Sequence, residues 1–338
     1  MLKYNTIFKK IKPHMKLASI LLSIWLVVVF SFLFISKLKK NAVLIPEKRW
    51  KLSAIDTVKY SRDIAREKDN SADFIATIDK QVRLISETGA THVSIGTPYD
   101  EEFVPFLSKW VSAARKYKLK VWFRGNFSGW EEWFGYPSIT REQHKEMLKT
   151  FIVSNGNLFE DGDVFTSCPE CENGGDGDPR SNEDLLGHRK FLIDEYQISK
   201  ESFRNIGKNV ITGYYPMNGD VAKLVMDVET TRSVGGVVVV DHYVEDPIRL
   251  NNELSELAEL SGGKVVLGEY GAPIPDIHGA MNEEEQADWI NELMTLLHTN
   301  TNVIGISYWT NRGGSTEIWN KDYSPKKSVT ILTKYFNF

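Results

Sequence analysis

Beyond residue 50 the chain alternates two kinds of apolar pattern. Short continuous runs, bounded by glycine or polar turns, read as strands buried on both faces. They are 53–60, 92–96, 120–125, 163–167, 210–214, 236–241, 264–268 and 303–308. Between them lie longer stretches with apolar residues at helical spacing. One runs from Asp73 to Thr88 with Phe74, Ile75, Ile78, Val82, Leu84 and Ile85 on one broad face. Others cover 101–117, 140–155, 183–206, 221–231, 247–260, 283–298 and 325–335. Thr140 and Gln143 have the spacing of a capping box. Eight strand–helix units in order predict an α/β fold of the closed (β/α)8 TIM-barrel type, spanning residues 51–338.

The N-terminal segment has a different pattern. Leu17 to Ser36 carries no charge over 20 residues. At 1.5 Å per residue such a helix spans about 30 Å, the thickness of a bilayer core. Lys37, Lys39 and Lys40 follow without a small-residue cleavage site, which favours an uncleaved transmembrane anchor over a signal peptide. Lys3, Lys9, Lys10, Lys12 and Lys16 make residues 1–16 a basic tail that resists translocation. The expectation is a single-pass protein with its N-terminus cytoplasmic, a bilayer-embedded helix at 17–36, a stalk at 37–50 and an extracytoplasmic barrel.

Composition narrows the functional classes. A net charge of −4 gives no basic surface for nucleic acid. Nine tryptophans suit a sugar binder as well as a core. The two cysteines, Cys168 and Cys171, form one C-x-x-C pair. No second pair completes a zinc site. The pair therefore reads as a disulfide or a loop-shaping thiol pair, with a thioredoxin-like redox site as the competing reading. Asp176 and Asp178 read as solvated loop acids rather than calcium ligands. No metal and no cofactor is expected.

Barrel chemistry sits at the C-terminal ends of the strands. Here those ends carry Arg62, Arg124, Asn126, Trp130 and Trp133, Glu170, Glu172 and Asn173, Tyr214, Asp241, His242 and Tyr243, Glu269, and Trp309. Glu269 closes the seventh strand, and Glu170 and Glu172 follow the fourth. Two carboxyls facing across a barrel mouth are what glycosidic bond cleavage needs: one protonates the leaving oxygen and one attacks the sugar carbon.

With these motifs the sequence resembles the retaining glycosidases of clan A over residues 52–338. Gly268-Glu269-Tyr270-Gly271 is similar to their nucleophile motif, and Ser307-Tyr308-Trp309 to their strand 8 aromatic. The resemblance implies Glu269 as nucleophile and Glu170 or Glu172 as acid/base, with His242 or Tyr243 supporting the nucleophile. It implies an oligo- or polysaccharide held by Arg62, Arg124, Asn126, Trp130, Asn173, Tyr214 and Trp309. Such enzymes carry Asn before the acid/base; here Pro169 and Cys171 hold those places, and Asn126 or Asn173 would substitute. A glycan-binding barrel without activity and a membrane-tethered thiol oxidoreductase are the alternatives.

Overall fold

The computed structural model describes residues 48–68 and 71–338. The expected tail, bilayer span and most of the stalk lie outside the described residues. Among the described residues no helix is long and apolar enough to cross a membrane. Lys48–Phe338 forms one compact unit, so its first residues are not stalk: Trp50 is buried, and the Arg49 amide donates to the Phe338 carbonyl at 2.7 Å.

The described residues form eight parallel strands: β1 (Leu52–Asp56), β2 (His92–Ile95), β3 (Lys120–Phe123), β4 (Val164–Phe165), β5 (Pro216–Asn218), β6 (Val237–Asp241), β7 (Lys264–Tyr270) and β8 (Val303–Tyr308). Their order is β4-β3-β2-β1-β8-β7-β6-β5. A parallel bridge ties Val164 of β4 to Ile211 in the segment that leads into β5, with the Phe165 amide donating to the Ile211 carbonyl at 2.8 Å. The sheet thus curls into the (β/α)8 barrel.

Among the described residues twelve α-helices lie between and after the strands. They are α1 (Val58–Ser61), α2 (Ala65–Lys68), α3 (Ala72–Glu87), α4 (Val104–Lys116), α5 (Arg141–Ser154) and α6 (Leu185–Asn205), followed by α7 (Gly219–Val225), α8 (Val228–Ser233), α9 (Pro247–Ser261), α10 (Pro275–His278), α11 (Glu283–Thr299) and α12 (Lys327–Phe336). The Thr140–Gln143 capping box forms at the start of α5.

Alternation along the strands sorts side chains into two cores. Leu52, Ala54, Trp122, Val164, Val239 and Val266 fill the barrel interior. Their neighbours Ile55, Val121, Phe123, Val238, Val240, Val265 and Leu267 pack against the helices. Each such side chain, fully buried, contributes about 1.5–3 kcal/mol. Gly305 makes room inside, since a Cβ there would sit 3.0 Å from that of Leu52.

Two expectations need correction. The fifth strand is Pro216–Asn218, and of the expected 210–214 only Ile211 pairs, in its bridge to Val164. Gly213, at φ +82°, turns the chain where a strand would have continued. The first strand ends at Asp56, because α1 begins at Val58 and its amide is taken by the Asp56 carboxylate at 2.5 Å.

Candidate active site

The C-terminal mouth of the barrel is built around Arg124, one residue beyond β3. Its guanidinium donates from Nη1 to the Gly268 carbonyl at 2.7 Å and from Nη2 to Asp241 Oδ2 at 2.7 Å. Nη2 also lies 3.1 Å from Glu269 Oε1, and Nη1 lies 3.9 Å from Asp56 Oδ2. Burial alone would lower its pKa; Asp241, Glu269 and Asp56 reverse that and hold it above the ordinary arginine value. One buried cation thus serves three carboxylates on three strands.

The carbonyl of Gly268 is available because β7 carries a bulge there. Val240 pairs with Leu267 but Asp241 pairs with Glu269, which leaves Gly268 as the extra residue. Only glycine fits: a Cβ would lie 2.5 Å from Asp241 Oδ1 and 2.9 Å from Val239 Cγ1. The bulge brings Glu269 to the mouth, where Oε2 accepts the Tyr243 hydroxyl at 2.9 Å. Burial, followed by the charge of Glu269, raises the Tyr243 hydroxyl well above its usual pKa, so it stays a donor. Tyr243 also meets Trp309 edge to face at 6.2 Å between centroids. Glu269, Tyr243, Arg124 and Trp309 are therefore one cluster.

Glu170 stands in a different environment. Its backbone occupies the left-handed region at φ 45°, held by its amide donating to the Pro216 carbonyl at 2.7 Å. Burial first, then the charges of Glu269 and Glu172, push its carboxyl up to about 7, against the opposing pull of Arg124. Glu172 is 5% exposed, and its carboxylate accepts the Asn218 amide at 2.8 Å. Burial raises its pKa as well, but the charges it feels most are Asp178 and Arg180. Of the two glutamates after β4, Glu170 is the one with Glu269 as its foremost charged neighbour.

The remaining expected residues divide. Arg62 lies over Trp133 at 4.6 Å and pairs with Asp63 at 3.0 Å, on the mouth side near Glu131. Asn173 is exposed beside Glu170, its amide donating to the Glu170 carbonyl at 2.8 Å. Four residues do something other than expected. Asn126 is fully buried; its Oδ1 faces His144 Nε2 at 2.8 Å and accepts the Phe127 amide at 2.8 Å. Trp130 is buried against Phe191 at 5.1 Å because the loop closes over it. A Cβ on Gly174 or Gly175 would meet Trp130 at 2.0 or 2.2 Å. Tyr214 leans on Trp122 inside the barrel and lines a cleft with Asp161 and Val237, at the opposite end from the mouth. The displaced fifth strand puts it there. His242 turns to Glu253 of α9, while its backbone amide donates to the Glu269 carbonyl at 3.1 Å. Of the two residues expected to support Glu269, Tyr243 makes the side-chain contact.

Cys168 and Cys171 are joined in a disulfide with both sulfurs buried. Asn126 Nδ2 lies 3.8 Å from Cys168 Sγ, and the Trp130 indole donates to the Cys171 carbonyl at 3.1 Å. The bridge is packed into the loop that carries Glu170 and offers no exposed sulfur for exchange.

Sequence reasoning gave no role to three acids at this mouth. Asp56, fully buried, is raised to about 7 by desolvation, with Arg124 opposing. Asp241 is raised well above its ordinary value, also by burial first, and its Oδ1 is enclosed without a partner. Each is the last residue of an apolar strand, a signal that the sequence does carry. Glu131, raised to about 7 by burial, is one acid in a loop and has no such signal. Among the described residues no group of three or more metal-ligating side chains is placed to hold an ion.

The sequence matches no protein-family model and no curated protein. Solved structures do match. A fungal β-1,4-galactanase aligns at TM-score 0.60 and 14% identity over 84% of this chain and 99% of the other. Xylanase 10B of Thermotoga maritima aligns at 0.54 and 11% over 84% and 94%. A β-D-glucuronidase of Dictyoglomus thermophilum aligns at 0.54 and 15% over 85% of this chain; the chain spans 50% of that enzyme. At these identities the likeness is one of fold, and the chain has the (β/α)8 barrel architecture seen in clan A-type glycoside hydrolases.

Proposed function

We propose that this chain is a membrane-anchored glycoside hydrolase that cleaves oligo- or polysaccharides with retention of anomeric configuration. The contrast between Glu269 and Glu170 supports this reading most directly. Glu269 is held by a guanidinium and a tyrosine hydroxyl, two donors that aim its oxygens at a fixed point. Glu170, buried and beside the charge of Glu269, is pushed up to about 7, the condition of a general acid near neutrality.

In the first step a Glu269 oxygen attacks the anomeric carbon while the bond to the leaving oxygen breaks. Glu170 gives its proton to that oxygen. In the second step Glu170, now a carboxylate, takes a proton from water, and the water oxygen displaces Glu269 from the sugar carbon. Tyr243 and Arg124 position Glu269, and Trp309 offers an apolar face to the ring. The galactanase and xylanase among the similar structures support a glycan substrate. The lysine-flanked run at 17–36 supports an anchor with the barrel outside.

Proton NMR of a cleaved glycan, read within the first turnovers, tests the mechanism. First-formed product with the configuration of the substrate supports it; inverted product overturns retention. Glycan binding without turnover would make the chain a binding barrel. Release of full-length protein from membranes by alkaline carbonate would overturn the anchor.

A further inference from the structure

Four residues past β8, Arg312 presents a buried charge without a counter-charge. It is 8% exposed, and its Nε is enclosed with no partner. Among the described residues it makes no ion pair. Its guanidinium is held between two rings, 5.5 Å from the centroid of Tyr60 and 4.1 Å from that of Tyr323. Tyr60 stacks on Phe74 of α3 at 6.2 Å, which sets this location in the strand–helix layer rather than inside the barrel. The Lys80 ammonium, also from α3, lies 4.2 Å from the centroid of the same Tyr323 ring. Two cations over one ring are no further apart than the sum of those distances.

The acids nearby make no ion pair with Arg312 among the described residues. Asp322 keeps a charge that Lys80 feels, but it forms no ion pair with Lys80; its Oδ1 accepts the amide and the hydroxyl of Ser324. Glu317 accepts the Gly313 amide and pairs with Lys326. Asp63 holds Lys59 and Arg62. A second enclosed donor without a partner, Gln81 Nε2, adjoins the same segment: Gln81 Oε1 accepts from Asn311 Nδ2 at 2.6 Å. A guanidinium does not deprotonate in proteins, and a buried cation without a counter-ion is costly beyond what aromatic faces return.

We propose that Arg312 and Lys80, with Gln81 beside them, form a site for a doubly charged oxyanion of the phosphate or sulfate type, separate from the glutamate mouth. The planar guanidinium fork matches two oxygens of such a group, and the second cation matches its second charge. The site does not depend on the glycosidase reading.

Thermal unfolding of the full-length chain in detergent, in millimolar phosphate, sulfate, acetate or chloride at matched ionic strength, tests it. Phosphate or sulfate should raise the midpoint by a few degrees, and the larger rise identifies the preferred group. Arg312→Met should lose the rise and, without anion, melt at or above wild type. Lys80→Met, on a half-buried helix position, should weaken anion affinity about tenfold and decides the matter if Arg312→Met does not fold. No anion-specific rise in wild type, an equal rise in both variants, or an equal rise with acetate would overturn the assignment.

Discussion

Arg124 and Asp241 pair at 2.7 Å below the mouth, and the same Arg124 nitrogen reaches Glu269 at 3.1 Å. The buried pair and the mouth carboxylate therefore share one donor. Arg124→Met should remove at once the cation that Asp56, Asp241 and Glu269 share. Breaking a buried pair from one side costs about 3–5 kcal/mol. Urea unfolding should report that loss, together with loss of hydrolysis; a variant of wild-type stability would mean the three acids do not lean on Arg124.

Tyr243→Phe isolates the second donor to Glu269. A hydrogen bond to a charged group is worth about 1.5 kcal/mol or more, so kcat should drop about tenfold or further with KM little changed. A change confined to KM would assign Tyr243 to substrate binding instead.

The raised carboxyls predict a pH dependence with a defined sign. Glu170 must carry a proton to act as acid and titrates at about 7, so kcat/KM should decline as pH rises through 7. Glu170→Gln should lack that limb when assayed with a substrate whose leaving group needs no protonation.

Stability follows the same logic through Glu131, whose carboxyl is raised from its ordinary value to about 7 by burial. The folded state then binds more protons than the unfolded one between the two pKa values. The stabilisation linked to Glu131 is fully present below about 4.5 and is lost as pH rises through 7. Glu131→Gln should gain on wild type from pH 5 to pH 8 in paired melting curves. A difference that stays flat with pH contradicts this.

The disulfide closes a very short loop, for which chain entropy predicts about 2 kcal/mol of stabilisation. Replacing Cys168 and Cys171 by Ser should cost about that much in urea unfolding and leave turnover measurable under folding conditions. Activity that vanishes in a fully folded double variant would point to sulfur chemistry.

What could be read from the sequence depended on how local the cause was. The Val265–Leu267 run and the Thr140–Gln143 cap carry their own signals, and both elements stand where the pattern puts them. The fifth strand did not, because Val210 and Ile211 look more strand-like than Pro216-Met217-Asn218. The actual strand is defined by its pairing with β6 and not by propensity. Trp130 reads as a mouth aromatic until Gly174 and Gly175 are known to lie against its ring. Asp56, Glu131 and Asp241 acquire their properties from burial, which depends on residues far away in the chain. Arg124 was visible as a residue after the third strand, but its three partners come from β1, β6 and β7.

The extra residue at Gly268 has a consequence of parity. Along β7 the odd positions 265 and 267 face the helices and the even position 266 faces the barrel axis. Counted straight on, Glu269 would fall among the helices and Tyr270 would look into the mouth. One inserted glycine reverses the count, so Tyr270 enters the outer core and Glu269 turns inward. The carboxylate that faces the mouth is thus selected by an odd–even frame. Regular pairing at Gly268, without the bulge, would exchange an acid for a phenol at the centre of the mouth without altering either one.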